Sequence, residues 1–294
     1  MPAKSKEPKK TKEIKPKEPL DPFNIISEIL GEPAHLMTNP VNAEYQCPYI
    51  NSICTKRSGK YTGAYPVCSI FRKVGRGPHA ARKPIIMCPK RFYEADIVND
   101  VIKYAWPGEP PEHPNFVHEI RMKGVGNVDF VIADLDHEGE TIRQFLSVEL
   151  QAIDCTGSVE PAYTAILNSQ SIQGRCVYNF NWANVRKRFL TQLIFKGFFH
   201  HHWKTKIVAI VQSPIYQNIK DTTGLVESSI PDSNVIFLQY ELQEEQGPDG
   251  TRYSLKFDQI KGTTVNSLMN TTLYSIAPPR EDFCRHILKH IKSS

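Results

Sequence analysis

The sequence has no apolar run as long as the roughly 18 to 20 residues that cross a bilayer, so no membrane-spanning helix is expected. Its N-terminus carries charge where a signal peptide would have its apolar region, and the expected compartment is the cytoplasm. Cysteine is odd in number, seven, and no Cys-x-x-Cys pair occurs, which excludes a zinc-ribbon spacing and argues against a disulfide framework. No internal repeat is visible, which excludes a solenoid. What is present, 294 residues of which 40% are hydrophobic, suffices for one good-sized core or one core with a small satellite.

Acid is also missing from two long segments. Residues 45 to 93 hold ten Lys or Arg and no acid, and residues 161 to 220 hold eight bases and no acid. Between them, residues 94 to 160 hold fourteen acids against four bases. Carboxylates hold cations while Lys and Arg hold phosphates, so this arrangement suits a polyanion-binding surface around a divalent-metal site. Chance patchiness on a solvated face is the competing reading. The first 20 residues, seven Lys against three Glu with several Pro, have too little apolar content to pack and are expected to be disordered.

Local patterns then order the chain. Asp21 suits an N-cap, Pro22 a first helical position and Gly31 a stop, which predicts a short helix with Phe23, Ile26 and Ile29 or Leu30 on one face. Residues 45 to 88, rich in Gly, Ser, Pro and Cys, read as loops. A helix over 93–106 precedes the linker "PGEPPEHP". Strands are predicted over 116–122, 128–134 and 144–153, a helix over 184–203, and a strand buried on both faces over 206–213. A hairpin around "EEQGPDG" and a closing helix "DFCRHILKHI" complete an α/β fold around a mixed sheet.

Side chains alternate faces along a strand, so Glu149 and Gln151 point together while Val148, Leu150 and Ala152 point into the core. If "VDFVIAD" pairs with "FLSVEL", Asp129 can lie beside Glu149, and Glu119 on the preceding strand can add a third carboxylate. Converging carboxylates repel unless a hard cation with oxygen ligands sits between them, and Mg²⁺ is the natural one where phosphate is handled. Ordinary surface acids on two strands remain the alternative. Cys47, Cys54, Cys68 and Cys88 stand in a loop-rich segment that four thiolates on one cation would staple, or they are four scattered buried thiols. The triplet His200–His202 cannot converge on one ion from adjacent helical positions and reads as favourable charge at a helix C-terminus. Cys155, Cys176 and Cys284 read as plain thiols.

These segments resemble a known family. "VDF…VELQAIDCTGS", with Glu-x-Gln in place of Glu-x-Lys, resembles the NotI-type restriction endonucleases of the PD-(D/E)xK nuclease superfamily. "QCPYI…CTKRSG…PVCSIFR…MCPKRFYE" resembles that family's four-Cys region, and "NVRKRFLTQLIFK" with "IVAIVQSPIY" its post-catalytic helix and strand. The resemblance implies a restriction-endonuclease-like core, a central mixed β-sheet flanked by helices over residues 111–294. A small loop-rich four-Cys region over 21–110 precedes it, and a basic tail over 1–20 comes first.

It further implies Glu119, Asp129, Glu149 and Gln151 as catalytic residues, the three carboxylates holding Mg²⁺. The resemblance also implies iron on Cys47, Cys54, Cys68 and Cys88, where tetrahedral sulfur suits zinc equally well, and double-stranded DNA with a GC-rich target as substrate; a palindromic site pairs with two-fold protein symmetry, so a homodimer is expected. Gln151 departs from the superfamily's Lys, and a neutral amide can orient a water but adds no charge to acidify it. The stripe Arg188, Gln192 and Lys196 is the candidate support for that charge and for DNA, or it is a solvated helix face. Lys56, Arg57, Arg72, Lys73 and Arg76 are the remaining candidates for DNA contact. A non-cleaving DNA-binding protein with a structural metal and a repair or structure-specific nuclease are the other readings.

Overall fold

A computed structural model describes residues 20–37, 45–57, 63–75, 80–172, 176–274 and 277–292. The expected tail (residues 1–19) and Arg76 lie outside the described residues. In chain order, β1 (Ile26–Ile29) and β2 (Glu32–Pro33) are followed by β3 (Gln46–Cys47) and β4 (Ser52–Ile53), then β5 (Val67–Val74) and β6 (Ala81–Ile86). A 3₁₀ turn (Pro89–Glu94) leads into α1 (Ile97–Ala105), and then come β7 (Asn115–Met122), β8 (Gly126–Leu135) and β9 (Ile142–Gln151). The chain continues through β10 (Cys155–Gly157), α2 (Glu160–Leu167), β11 (Tyr178–Phe180) and α3 (Trp182–Asn184). A π-helical stretch (Val185–Leu190) then runs straight into α4 (Thr191–His202). Last come β12 (Lys206–Gln212), α5 (Ser213–Thr223), β13 (Val235–Gly247), β14 (Gly250–Thr263), α6 (Val265–Leu273) and α7 (Arg280–Ile291).

The architecture is mixed α/β. A six-stranded sheet runs in the order β14-β13-β12-β9-β8-β7, with β12 parallel to both β9 and β13 and the other neighbours antiparallel. Strand β12, "KIVAIVQ", is buried along its whole length because helices cover both faces. Its alternation divides the core: Ile207, Ala209 and Val211 pack with α2, α4 and α5, while Val208 and Ile210 pack with Phe92 and α1.

A second sheet, β2-β1-β5-β6, corrects two expectations. Asp21 does accept the Phe23 N–H at 3.0 Å, yet it caps only a three-residue 3₁₀ turn, after which β1 is extended with all four positions buried. The apolar spacing that suggested a helix belongs to β-branched residues, which pack better on a pleated surface than in a helix. Gly31 is accordingly no helix stop but, with Leu30, a hairpin turn in the left-handed region at φ 80° and 50°. The segment read as loops contains β5 and β6, paired from Ser69–Ile86 to Val74–Ala81.

One buried side chain ties the two sheets together. Gln212, fully buried, accepts from the Ile86 N–H at 2.8 Å and donates to the Pro84 carbonyl at 2.9 Å. Replacing Gln212 by Ala orphans a buried donor and a buried acceptor at about 1–3 kcal/mol each. We expect a drop of about 2–4 kcal/mol in urea-unfolding stability, and a change below about 0.5 kcal/mol would remove Gln212 from this role.

Candidate active site

Strand β8 places Phe130 and Ile132 in the core beneath α1, which puts Asp129 on the opposite face. Strand β9 does the same with Leu146 and Val148, leaving Ser147 and Glu149 on the face that looks toward α4. The two strands pair antiparallel from Asp134–Gln144 to Phe130–Val148, and continuing that register by one step sets Asp129 opposite Glu149. At that point the side chain takes over from the ladder: the Asp129 carboxylate accepts the Leu150 N–H at 2.7 Å. Each carboxylate therefore sits where the other's charge is felt.

Burial raises the Asp129 pKa; the Leu150 N–H and Lys196 pull it down and Glu119 adds to the rise. Burial likewise pushes Glu149, 7% exposed, up to about 7 against the pull of Lys196, with Asp129 raising it further. Glu119 lies on edge strand β7 at φ 55°, a left-handed conformation that costs a non-glycine residue about 1–3 kcal/mol unless its surroundings hold it. The ladder skips it, passing from His118–Phe130 to Ile120–Val128. Together with Asp129, His118 and Leu150, Glu119 lines a cavity of about 440 Å³ whose other walls include Lys90 and Tyr93.

Gln151 shares the Glu149 strand and donates its amide to the Ala152 carbonyl. The positive charge near the carboxylates comes from elsewhere. Lys196, 2% exposed, reaches in from α4 to pair with Glu149 and to donate to the Asn127 carbonyl at 2.6 Å. Helix α4 comes this close because Gly197 has no side chain: a Cβ there would stand 3.0 Å from Val235 and 3.3 Å from Val265. Lys196, expected on a helix stripe both as support for the charge that Gln151 lacks and as a DNA contact, is buried beside Glu149 and is corrected in the second of these. Arg188 and Gln192 of the same stripe are exposed.

Below Lys196, His200 is fully buried between the Lys196 carbonyl and the Ser147 hydroxyl, each at 2.7 Å from a ring nitrogen. Burial lowers its pKa to about 4. A depressed pKa means that the unfolded chain takes up a proton near 6.5 and the folded chain only near 4. The His200 contribution is therefore complete above pH 6.5 and is lost as pH falls toward 4, by up to about 3 kcal/mol. Unfolding free energies across that window should show this slope, and His200→Gln should flatten it; an unchanged slope would assign it to other groups.

The thiols stand differently from expectation. Cys47, Cys54 and Cys68 are buried and Cys88 partly so, and the Lys56 ammonium points inward beside three of them, donating to the Val67 and Met87 carbonyls. Burial lowers the Lys56 pKa, Cys88, Cys68 and Cys54 raise it in part, and burial pushes Cys68 up to about 12. Among the described residues no group of three or more His, Cys, Asp or Glu side chains is placed to hold a metal ion. Lys56 is accordingly corrected from an outward DNA contact to an inward one. Arg57 stays near the surface, donating to the Cys54 and Lys56 carbonyls, while Arg72 lies over the Trp182 ring at 5.9 Å and Lys73 is exposed.

The family profile described as restriction endonuclease NotI matches residues 34–255, three quarters of the chain and all of the strands that carry the carboxylates. The chain belongs to the NotI restriction endonuclease family. It is therefore a type II site-specific endonuclease and acts on DNA, which sets aside the non-cleaving reading. No curated protein matches the chain. No helix among the described residues of this NotI-family endonuclease is long and apolar enough to cross a membrane. Sequence reasoning overlooked Lys90, which lines the cavity, and Arg82 and Lys83. In the β5–β6 register Arg72 faces Lys83 and Lys73 faces Arg82. The acid-free composition of this region was the available signal.

Proposed function

We propose that this endonuclease hydrolyses phosphodiester bonds of double-stranded DNA in a Mg²⁺-dependent reaction, at a palindromic, GC-rich site, as a homodimer in the cytoplasm. The observation that carries the reading is the meeting of Asp129 and Glu149 on one face at the end of the β8–β9 ladder. This oxygen-only donor set, with two carboxylates whose pKa values are both raised, fits a hard divalent cation. Asp129 and Glu149 would hold it on what we take to be a PD-(D/E)xK core, with Glu119, which in this structure does not join them in a three-residue metal-holding group, as the third ligand we propose. The bound ion would polarise a phosphoryl oxygen and acidify water.

The protein's own groups do the rest. Asp129 and Glu119 present their carboxylates to the cavity, Glu149 stands beside Asp129 and against Lys196, and the Gln151 amide can only orient, since it cannot take or give a proton at neutral pH. Water is the nucleophile. The substrate finds its phosphate partners on the β5–β6 ribbon, where Arg72 opposite Lys83 and Lys73 opposite Arg82 repel one another until a polyanion lies across them. A second subunit has an apolar face to cover: α7 buries none of its residues and carries Phe283, Ile287 and Ile291 at helical spacing. Two-fold symmetry in the protein matches a palindrome in the DNA. Cys47, Cys54, Cys68 and Cys88, which form no metal-holding group in this structure, are the donors that iron or zinc would have to draw together, since thiolates suit both metals.

Digestion of plasmid DNA with and without Mg²⁺, followed by sequencing of the fragment ends, tests the reading. Discrete Mg²⁺-dependent fragments with symmetric ends are expected. Cutting only at junctions or lesions would instead make this a structure-specific nuclease, and cutting in the presence of chelator would remove the metal. Light scattering should report a dimer, and elemental analysis should report iron or zinc near one per chain.

A further inference from the structure

We propose that Lys196, delivered from helix α4, is the positioning residue that replaces the lysine missing from the Glu-x-Gln strand motif: it holds the Glu149 carboxylate on the site face and supplies there the fixed positive charge that Gln151 cannot. The inference rests on the assignment of Glu149 to the active site.

Three observations carry it. First, Lys196 is bound on two sides, by the Glu149 carboxylate and by the Asn127 carbonyl at 2.6 Å, so its ammonium is oriented by the sheet itself. Asn127 lies two residues before Asp129, and the contact therefore fixes the ammonium between the two strands that carry the carboxylates. Second, Lys196 is 2% exposed, and a buried ammonium is retained only where a specific partner offsets its desolvation. A lysine serving only to contact DNA backbone has no reason to be there. Third, the side chain at the motif position is a neutral amide engaged with the Ala152 carbonyl, so the motif itself brings no cation to Glu149. The helix supporting this lysine is itself specialised: the π-helical stretch immediately precedes it, and Gly197 and the Asn234 side chain, which donates to the Gly197 carbonyl at 2.8 Å, seat that turn against the sheet.

The chemistry follows from charge and distance. A lysine on the motif strand and a lysine reaching over from the next helix present the same group to the same carboxylate from two directions. With the strand lysine absent, the helix lysine holds the Glu149 carboxylate in place and presents to it the positive charge that the neutral Gln151 lacks.

The test moves the lysine back. Lys196→Met, Lys196→Gln, Gln151→Lys and the double variant Lys196→Met/Gln151→Lys are compared with the parent. The readouts are single-turnover cleavage in Mg²⁺, affinity for cognate DNA in Ca²⁺, and thermal melting. Lys196→Met is expected to bind DNA within about threefold of the parent and to cleave at least about a hundredfold more slowly, with the loss in the cleavage step. The double variant is expected to recover at least about tenfold of that loss.

Cleavage within about threefold of the parent in Lys196→Met overturns the proposal. So does a double variant that regains melting temperature but not cleavage, because the role is then structural. If Lys196→Met fails to fold, Lys196→Gln, which keeps a hydrogen-bond donor without the charge, takes its place and is judged by the same criteria. Undiminished cleavage by Glu149→Ala would instead mean that the site assignment itself has failed, whatever Lys196 does.

Discussion

Glu149→Gln is expected to lower the cleavage rate on the order of a thousandfold or more, roughly 4 kcal/mol of transition-state stabilisation, while cognate DNA is still bound. The substitution preserves shape and removes one negative charge at a position 7% exposed. That charge faces Lys196 on one side and Asp129 on the other, and no second carboxylate on β9 can stand in for it. Gln151→Lys makes the opposite change two residues further on and should retain activity, because the amide it removes is turned to the Ala152 carbonyl. Single-turnover digestion of a labelled duplex, with binding measured in Ca²⁺, reads both variants. Equal rates for the two would refute the division of roles between positions 149 and 151. Part of the Glu149→Gln effect is a buried ammonium left without its partner, so melting temperatures belong beside the rates.

The largest effect on stability is expected at Arg91. Its guanidinium, 1% exposed, forms a two-pronged pair with the fully buried Glu28 of β1 at 3.0 to 3.2 Å. It also donates to the Tyr253 carbonyl of β14 at 3.1 Å and lies over the Tyr49 ring at 4.9 Å. One side chain thus joins the N-terminal sheet to the outer hairpin of the central sheet. Arg91→Met should cost about 3–5 kcal/mol, since it leaves a buried carboxylate with Ser69 as its remaining hydrogen-bonded partner.

Burial already raises the Glu28 pKa and Arg91 opposes the rise, so in the variant the native state holds a proton on Glu28 to higher pH. A raised carboxyl favours folding below its unfolded pKa and ceases to as pH climbs; the Arg91→Met deficit should therefore shrink on acidification. The double variant Arg91→Met/Glu28→Leu should recover most of the loss, because exchanging both partners of a buried pair for apolar groups is often neutral. Urea unfolding at several pH values checks this. A single-variant loss under about 1 kcal/mol would show that the pair contributes little to joining the sheets.

Several elements were legible because their signal is local. Period-two alternation marks β8 and β9, an unbroken apolar run marks β12, and a Gly-Pro-Asp-Gly turn marks the β13–β14 hairpin. Because alternation decides faces, the assignment of Glu149 and Val148 to opposite sides of β9 was also within reach. Residues 26–29 were not legible, because three apolar positions spaced like a helix face serve equally well in a buried strand. The tie was broken by β5, some forty residues away, and by Arg91. Strands β5 and β6 were hidden by their charge: Arg72, Lys73, Arg82 and Lys83 read as loop composition until the pairing register showed them opposed across a ribbon.

The sequence by itself determined the strands of the central sheet, the family and the set of acids available. Which of those acids are neighbours, and that Lys196 alone of the candidate stripe reaches Glu149 while Arg188 and Gln192 stay exposed, was decided by tertiary structure. The reason is that a strand's faces follow from its own period, whereas strand register and the docking depth of a helix are set by contacts between residues far apart in the chain. The step that sets Asp129 opposite Glu149 and the missing side chain at Gly197 are both facts of that second kind.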